Sequence, residues 1–279
     1  MAAADPDPLR IDLWLTPLDD QRDSRLLEAY RQLLSAEEQR RAQRFLRERD
    51  RHRYLVTRAL VRTVLARFSG RAPESLRFKE NRHGKPSLCA IDSCQRALSF
   101  NLSHCDDMIV LALTRERELG VDIENVALRP APLHIARRYF AQEEVVDLGT
   151  LSAAAQRQRF FELWTLKEAY IKARGMGLAI PLDQFGFRFD ASDRLAMWMH
   201  PDLGDCPSRW HHWQIRIASD YLVAICAEHR AATPFPSISA TRTIPLVSEE
   251  HIGHVQLRTL NLDPALESLP RTGAKKQGR

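Results

Sequence analysis

Apolar residues recur along this chain in two rhythms. Where they alternate with polar ones, strands are predicted: residues 9–15 (Leu-Arg-Ile-Asp-Leu-Trp-Leu) form a first strand. Where they recur every three or four positions, helices are predicted. One covers about 23–34, and a second starts at Ser35-Ala36-Glu37-Glu38, in capping-box order, and reaches Phe45. A third covers 49–68, with Leu55, Val56, Leu60, Val64 and Leu65 as its core-facing stripe. Phe78 falls in a short strand, and Asn81-Arg82-His83-Gly84-Lys85-Pro86 reads as a turn-rich loop. Strands at 97–102 and 108–114 pair across the Ser103–Asp107 linker, and 119–123 adds another.

The second half repeats this grammar. Helices are expected near 132–140, 142–148 and 156–174, and strands near 185–189, 195–198, 213–218 and 221–227. The stretch 219–225 echoes 103–112 in form, a weak internal repeat that suits two similar α/β halves meeting near 119–125. The expected division is 1–120, 121–248 and a loose tail 249–279. One further strand is expected at 243–247, and prolines and polar residues thin the pattern beyond about 261.

Within this frame two segments carry chemistry. Asp122 and Glu124 flank Ile123, so a strand's period of two sends both carboxylates to one face. Further on, Trp164, Glu168 and Lys172 are spaced i, i+4, i+8 and share one helical stripe. If strand and helix pack together, three carboxylates and an ammonium converge. Such a cluster suits a hard cation beside a positive charge, as needed to hold a pyrophosphate through Mg²⁺.

Composition narrows the setting. A hydrophobic content of 44% and a charged content of 28% are ordinary globular values, so a core is expected. Apolar runs such as 108–113 are too short to cross a bilayer, and the N-terminus lacks the basic and apolar regions of a secretory leader. Five cysteines, an odd number with no C-x-x-C pair, argue against a disulfide framework or a zinc knuckle and fit a reduced cytoplasmic compartment. The net charge of +5 suits an anionic partner. Its basic residues crowd between Arg40 and Arg71, as solvated helix faces or as a docking surface for phosphate or acidic protein.

Gly120-Val121-Asp122-Ile123-Glu124 followed by Trp164-x-x-Lys167-Glu168-Ala169-x-x-Lys172 resembles the signature of 4′-phosphopantetheinyl transferases. Further motifs are Asp50-Arg51-His52-Arg53, Gly84-Lys85-Pro86, Phe100-Asn101-Leu102-Ser103-His104, and Gly175-Met176-Gly177-Leu178 with Pro181-Leu182. With the chain length and doubled organisation, they are similar to the monomeric surfactin-synthetase-activating (Sfp-type) group, not the short trimeric holo-synthases. The resemblance implies a pseudo-two-fold α/β fold with its active site between the halves. It also implies transfer of the phosphopantetheine arm of coenzyme A to a serine of an acyl or peptidyl carrier protein, releasing 3′,5′-ADP.

Carried over residue by residue, the resemblance gives Asp122, Glu124 and Glu168 as Mg²⁺ ligands, with Asp122 also at the coenzyme. Lys172 would contact the pyrophosphate. The base would be Glu144, with Glu168 acting through a metal-bound water as its rival; the sequence leaves the two unseparated. Ser103 and His104 would meet the coenzyme phosphates, the imidazole protonated. Lys85, Pro86 and Arg53 would hold the 3′-phosphate and adenine end, joined by Arg40 or Arg41. Remaining basic residues would face the acidic carrier domain. Trp164 reads as packing, and Cys105 is set aside as a nucleophile because direct transfer needs no covalent intermediate.

A non-enzymatic basic module binding RNA or protein is allowed by the arginine-rich helices, but no RNP-like aromatic motif supports nucleic acid. A P-loop phosphotransferase lacks its GxxxxGK[ST] loop. The expectation is a cytoplasmic monomer that binds neither membrane nor nucleic acid.

Overall fold

The computed structural model describes residues 9–89, 98–127, 130–189, 195–218, 220–230, 234, 236–252 and 256–260. The first half runs β1 (Arg10–Pro17), α1 (Ser24–Leu33), α2 (Ala36–Gln43), α3 (Glu48–Ser69), a short hairpin β2 (Phe78–Glu80) and β3 (Pro86–Leu88), then β4 (Leu98–His104) and β5 (Met108–Arg115). The second runs β6 (Leu119–Asn125), α4 (Leu133–Tyr139), α5 (Gln142–Thr150), α6 (Ala153–Arg174), β7 (Phe185–Phe189), β8 (Leu195–Met199), β9 (Trp210–Ile217) and β10 (Tyr221–Glu228). β11 (Ser237–Ile244), β12 (Ser248–His251) and β13 (Gln256–Leu260) follow.

The two halves are built alike. Each sets a 22-residue helix, α3 or α6, between a pair of shorter helices and a hairpin, β4–β5 or β9–β10. Each long helix stops at a glycine in the left-handed region, Gly70 at φ 67° and Gly175 at φ 61°, where a side chain would be strained. The second strand of each hairpin pairs antiparallel with the strand that opens its half, β1 or β6.

The strands form two sheets, ordered β12-β11-β1-β5-β4 and β13-β9-β10-β6. Three apolar clusters follow. Leu111 and Leu113 of β5 join Leu60 and Val64 of α3 under the first helix layer. Leu222 and Ala224 of β10 join Leu166, Ala169 and Tyr170 of α6 under the second. The alternate residues Val110 and Ala112 meet Val121, Ile123, Val223 and Ile225 between the sheets. Strands buried on both faces explain the unbroken apolar runs of β5 and β10.

One polar bond between the sheets matters for function. The Val121 N–H, on β6, donates to Asn101 Oδ1, on β4, at 2.9 Å. It sets the end of β4, with Ser103 and His104, beside the carboxylates of β6.

The C-terminal part departs from expectation. The strand expected at 243–247 is β11 at 237–244, and it runs parallel to β1, returning to the first half's sheet. Residues expected to be a loose tail form β12 against β11 and β13 against β9. Proline-flanked, polar-rich segments give weak alternation, and the open edges of β1 and β9 supply the register. Residues 261–279 lie outside the described residues.

Candidate active site

On β6, Leu119, Val121 and Ile123 enter the core between the sheets, so Gly120, Asp122 and Glu124 turn toward α6. Gly120 is required for the approach. A Cβ there would fall 2.0 Å from the Ala169 carbonyl oxygen and 2.3 Å from the Ala173 nitrogen. With that contact made, Lys172 of α6 donates to Asp122 Oδ1 at 2.7 Å and to Ser103 Oγ at 2.8 Å. Ser103 Oγ in turn donates to the same Asp122 oxygen at 2.8 Å. Two donors thus hold one oxygen of a buried carboxylate, while Asp122 Oδ2 is buried with no hydrogen-bond partner. An orphaned carboxylate oxygen in such a place demands a reason.

Glu168 stands one helical turn before Lys172. Burial, then the negative charge of Asp122, raise its pKa above the ordinary glutamate value, with Lys172 partly offsetting both. Glu124 is half-buried, two residues along the Asp122 face of β6. The three carboxylates therefore share one neighbourhood, but they do not close into a ligand set. Among the described residues no group of three His, Cys, Asp or Glu side chains stands close enough to hold a metal ion. An ammonium, Lys172, occupies Asp122 instead. The donors nonetheless suit a hard divalent cation: oxygen ligands, and an unpartnered buried oxygen on Asp122.

Beside this cluster lies a cleft of 430 Å³ whose lining includes Arg41, Arg53, Tyr54, Arg58, Arg77, Phe78, Gly84, Pro86 and His104. Arg53 is half-buried and donates to Asp50 Oδ1 at 2.8 Å. Arg41 lines the cleft, whereas Arg40 lines a neighbouring hollow with Arg41, Arg44 and Phe45 and is not part of the cleft wall. The wall had a legible signal that the sequence reading missed: Arg53 and Thr57, like Tyr54, Arg58 and Arg62, are spaced by four on α3. Glu38, the capping-box glutamate of α2, accepts from Arg62 Nε at 2.7 Å and pairs with Arg58. Arg58 is thereby held 4.5 Å over the Phe78 ring.

His104 does not match the protonated imidazole expected of it. Its ring loses part of its water shell even though the residue is exposed by area. That desolvation, then the charges of Arg53 and Lys172, hold its pKa below the usual value, against a weaker pull from Asp122. A neutral ring is favoured at pH 7.

Two further expectations are corrected. Lys85 does not face the cleft that Gly84 and Pro86 line. Its ammonium donates to the Ala173 carbonyl at 2.7 Å and to Glu118 Oε2 at 3.0 Å, at the end of α6. Glu144 does not join the Asp122 cluster. It is 1% exposed, and its oxygens accept from the Ala141 N–H at 3.1 Å, the Phe187 N–H at 2.9 Å and Lys167 Nζ at 2.8 Å. Lys167 also donates to the Leu182 and Phe185 carbonyls. Burial raises the Glu144 pKa and lowers that of Lys167, each countered by the other's charge. This sealed pair fastens α5 and α6 to β7 and offers no oxygen to a reacting group. The position three residues into a helix was the sequence sign of a capping glutamate.

Trp164 packs as expected, stacked on Phe160 and Phe140 at centroid distances of 6.1 and 6.3 Å. Cys105 is buried, and burial pushes its thiol up to about 12, so a thiolate is not available.

Sequence comparisons match both halves. A model of the 4′-phosphopantetheinyl transferase superfamily matches residues 118–226, and one described as 4′-phosphopantetheinyl transferase, N-terminal, matches 21–116. A 4′-phosphopantetheinyl transferase of Bacillus subtilis is 31% identical over 213 residues, 76% of this chain and 88% of its own. The chain belongs to the 4′-phosphopantetheinyl transferases of the Sfp type. A Synechocystis sp. protein provisionally given the same name is 35% identical over 213 residues, 76% of this chain and 80% of its own. The holo-[acyl-carrier-protein] synthase of Thermotoga maritima overlaps 40% of this transferase and 63% of its own chain, at 20% identity and a TM-score of 0.33. Among the described residues of the transferase, no helix is long and apolar enough to cross a membrane.

Proposed function

We propose that this transferase moves the phosphopantetheine arm of coenzyme A to a serine hydroxyl of an apo acyl or peptidyl carrier protein. The observation that carries this reading is the buried Asp122 carboxylate, shared by Lys172 and Ser103 on one oxygen and unpartnered on the other. Asp122, Glu124 and Glu168 would hold Mg²⁺, which when bound neutralises pyrophosphate charge.

The protein's own groups do the rest. The 3′-phosphate and adenine end would lie in the 430 Å³ cleft, against Arg53, Arg41, Arg58 and Arg77, beside Pro86. Lys172 would sit by the pyrophosphate, and Ser103 keeps its ammonium oriented through their 2.8 Å bond. Neutral His104 can hydrogen-bond a phosphate oxygen from the rim. The seryl oxygen bonds to the phosphorus of the pantetheine arm, the phosphorus–oxygen bond to the nucleotide breaks, and 3′,5′-ADP leaves with the electron pair. The seryl proton would pass to Glu168 through an intervening water, in place of the enclosed Glu144. An acidic carrier domain as the partner fits the net charge of +5, and the protein is proposed to act on it as a cytoplasmic monomer.

The test is direct. The full-length protein, coenzyme A and Mg²⁺ are incubated with several apo-carrier proteins, and each carrier is weighed. The expected result is one added phosphopantetheine per carrier, lost when the acceptor serine is replaced. No mass gain on any carrier would sink the reading.

A further inference from the structure

The loop that edges the cleft is tied to the end of the helix that bears Glu168 and Lys172. The last carbonyls of an α-helix have no partner within it. In α6 two of the carbonyls at this end are met from the other half of the molecule. Asn81 Nδ2 donates to the Gly175 carbonyl at 2.7 Å, and Lys85 Nζ donates to the Ala173 carbonyl at 2.7 Å. A positive charge at a helix C-terminus is favourable in its own right.

Asn81 is also the knot of its own loop. Its Oδ1 accepts from the His83 and Lys85 N–H groups at 2.9 Å each, and its own N–H donates to the Lys85 carbonyl at 3.0 Å. One side chain thus shapes the turn that sets Gly84 and Pro86 on the cleft wall, and with its remaining donor grips α6. The fit is close on both sides: a Cβ on Gly175 would lie 2.6 Å from Lys85 Cδ and 3.1 Å from Asn81 Nδ2.

We propose that Asn81 and Lys85 are positioning residues that couple occupancy of the cleft to the placement of Glu168 and Lys172. The inference rests on the cleft taking the nucleotide end of coenzyme A. A nucleotide seated against Gly84 and Pro86 steadies the loop, and the loop steadies the helix end one and three residues beyond Lys172. The Lys85 ammonium is held outside the cleft, by the Ala173 carbonyl and by Glu118 Oε2 just ahead of β6.

Asn81→Asp separates the two duties, because it keeps the acceptor for the loop and loses the donor to Gly175. Three measurements are made on the full chain: 3′,5′-ADP affinity by calorimetry, kcat and the coenzyme A KM, and hydrogen exchange over residues 171–175 with and without 3′,5′-ADP. The variant is expected to bind 3′,5′-ADP within about threefold of wild type while kcat falls about tenfold or more. In wild type the nucleotide is expected to slow exchange at 171–175 about fivefold or more, and in the variant that protection disappears. Lys85→Met, read the same way, covers the case in which the aspartate variant does not fold. An unchanged kcat, or protection that survives in the variants, overturns the inference. So does a loss of nucleotide affinity that accounts for all of the lost activity, since Asn81 would then serve only its loop. If wild type does not bind 3′,5′-ADP, the cleft assignment fails, and the inference falls with it; normal binding without protection leaves the cleft standing and removes only the coupling.

Discussion

Lys172 Nζ lies 2.7 Å from Asp122 Oδ1, so the carboxylate of β6 and the helix α6 are joined by a charge pair in which Asp122 is 5% exposed. Replacing Lys172 with Met leaves that carboxylate short of its counter-charge, at a cost of about 1–3 kcal/mol. The ammonium also shares the charge of Asp122 with any cation held on the other oxygen, so its removal leaves the whole carboxylate to that cation. The Tm of Lys172→Met is therefore expected to fall below wild type without Mg²⁺ and to rise more steeply when Mg²⁺ is added. Transfer should drop about a hundredfold in kcat/KM, as for loss of one preorganised donor. An Mg²⁺-induced Tm rise no larger than in wild type would show that lysine and metal do not share Asp122.

Glu144 and Lys167 form a sealed ion pair, with side chains 1% and 0% exposed. Breaking one partner strands the other, which costs about 3–5 kcal/mol. Lys167→Met alone is thus expected to lose far more stability in urea than the Glu144→Gln, Lys167→Met double variant. Additive losses would contradict the pairing. At a temperature where Glu144→Gln stays folded, its kcat should remain within about threefold of wild type, because a sealed carboxylate takes no proton from substrate. A loss of several orders of magnitude in the folded variant would restore Glu144 as the base.

The main divided motif was legible in the sequence because it depends on local periods. Two residues per strand repeat and four per helical turn place Asp122, Glu124, Glu168 and Lys172 on facing surfaces without knowledge of the rest. The helical stripes of α3 and α6 were legible for the same reason. Lys85 was not, because a motif names a residue type but not the side from which it leaves a turn; here Gly84, at φ +85°, sends neighbouring residues to opposite sides. Glu144 was misplaced because its cage includes the Phe187 N–H of β7, a tertiary contact with no sequence signature. β11 to β13 were largely lost because strand edges, not alternation, select their register.

Burial holds the imidazoles of His212 and His211 far below the usual value, at about 3 and about 4 respectively, with the charge of His211 on the first and of His229 on the second as a lesser cause. Both are neutral in the fold at pH 7 and would be protonated in the unfolded chain below its pKa of about 6.5. The unfolded state then binds more protons, so stability is full above about pH 6.5 and falls as the pH drops toward 4. Each histidine contributes a slope of up to about 1.4 kcal/mol per pH unit in that window. Urea midpoints from pH 7 to 5 should decline, and His212→Gln should flatten the decline. A slope identical to wild type would mean that His212 does not titrate on unfolding.

Gly120 is where the site geometry is most easily broken without touching a charged group. Gly120→Ala adds one methyl at a place where backbone atoms of α6 stand at 2.0 and 2.3 Å, so neither partner can yield by turning a side chain. Strand and helix must separate, and overpacking of this kind costs about 3 kcal/mol or more. The same separation lengthens the reach from Lys172 to Asp122 and Ser103, which depend on bonds of 2.7 and 2.8 Å. Activity should therefore fall further than the folded fraction does, by about a hundredfold in kcat at a temperature where circular dichroism shows the variant folded. Glycine at residue 149 provides the control: a Cβ there meets nothing within 4 Å, so Gly149→Ala on α5 should leave both stability and kcat close to wild type. If Gly120→Ala retained wild-type kcat, the tight contact between β6 and α6 would not be what aligns the carboxylates with Lys172.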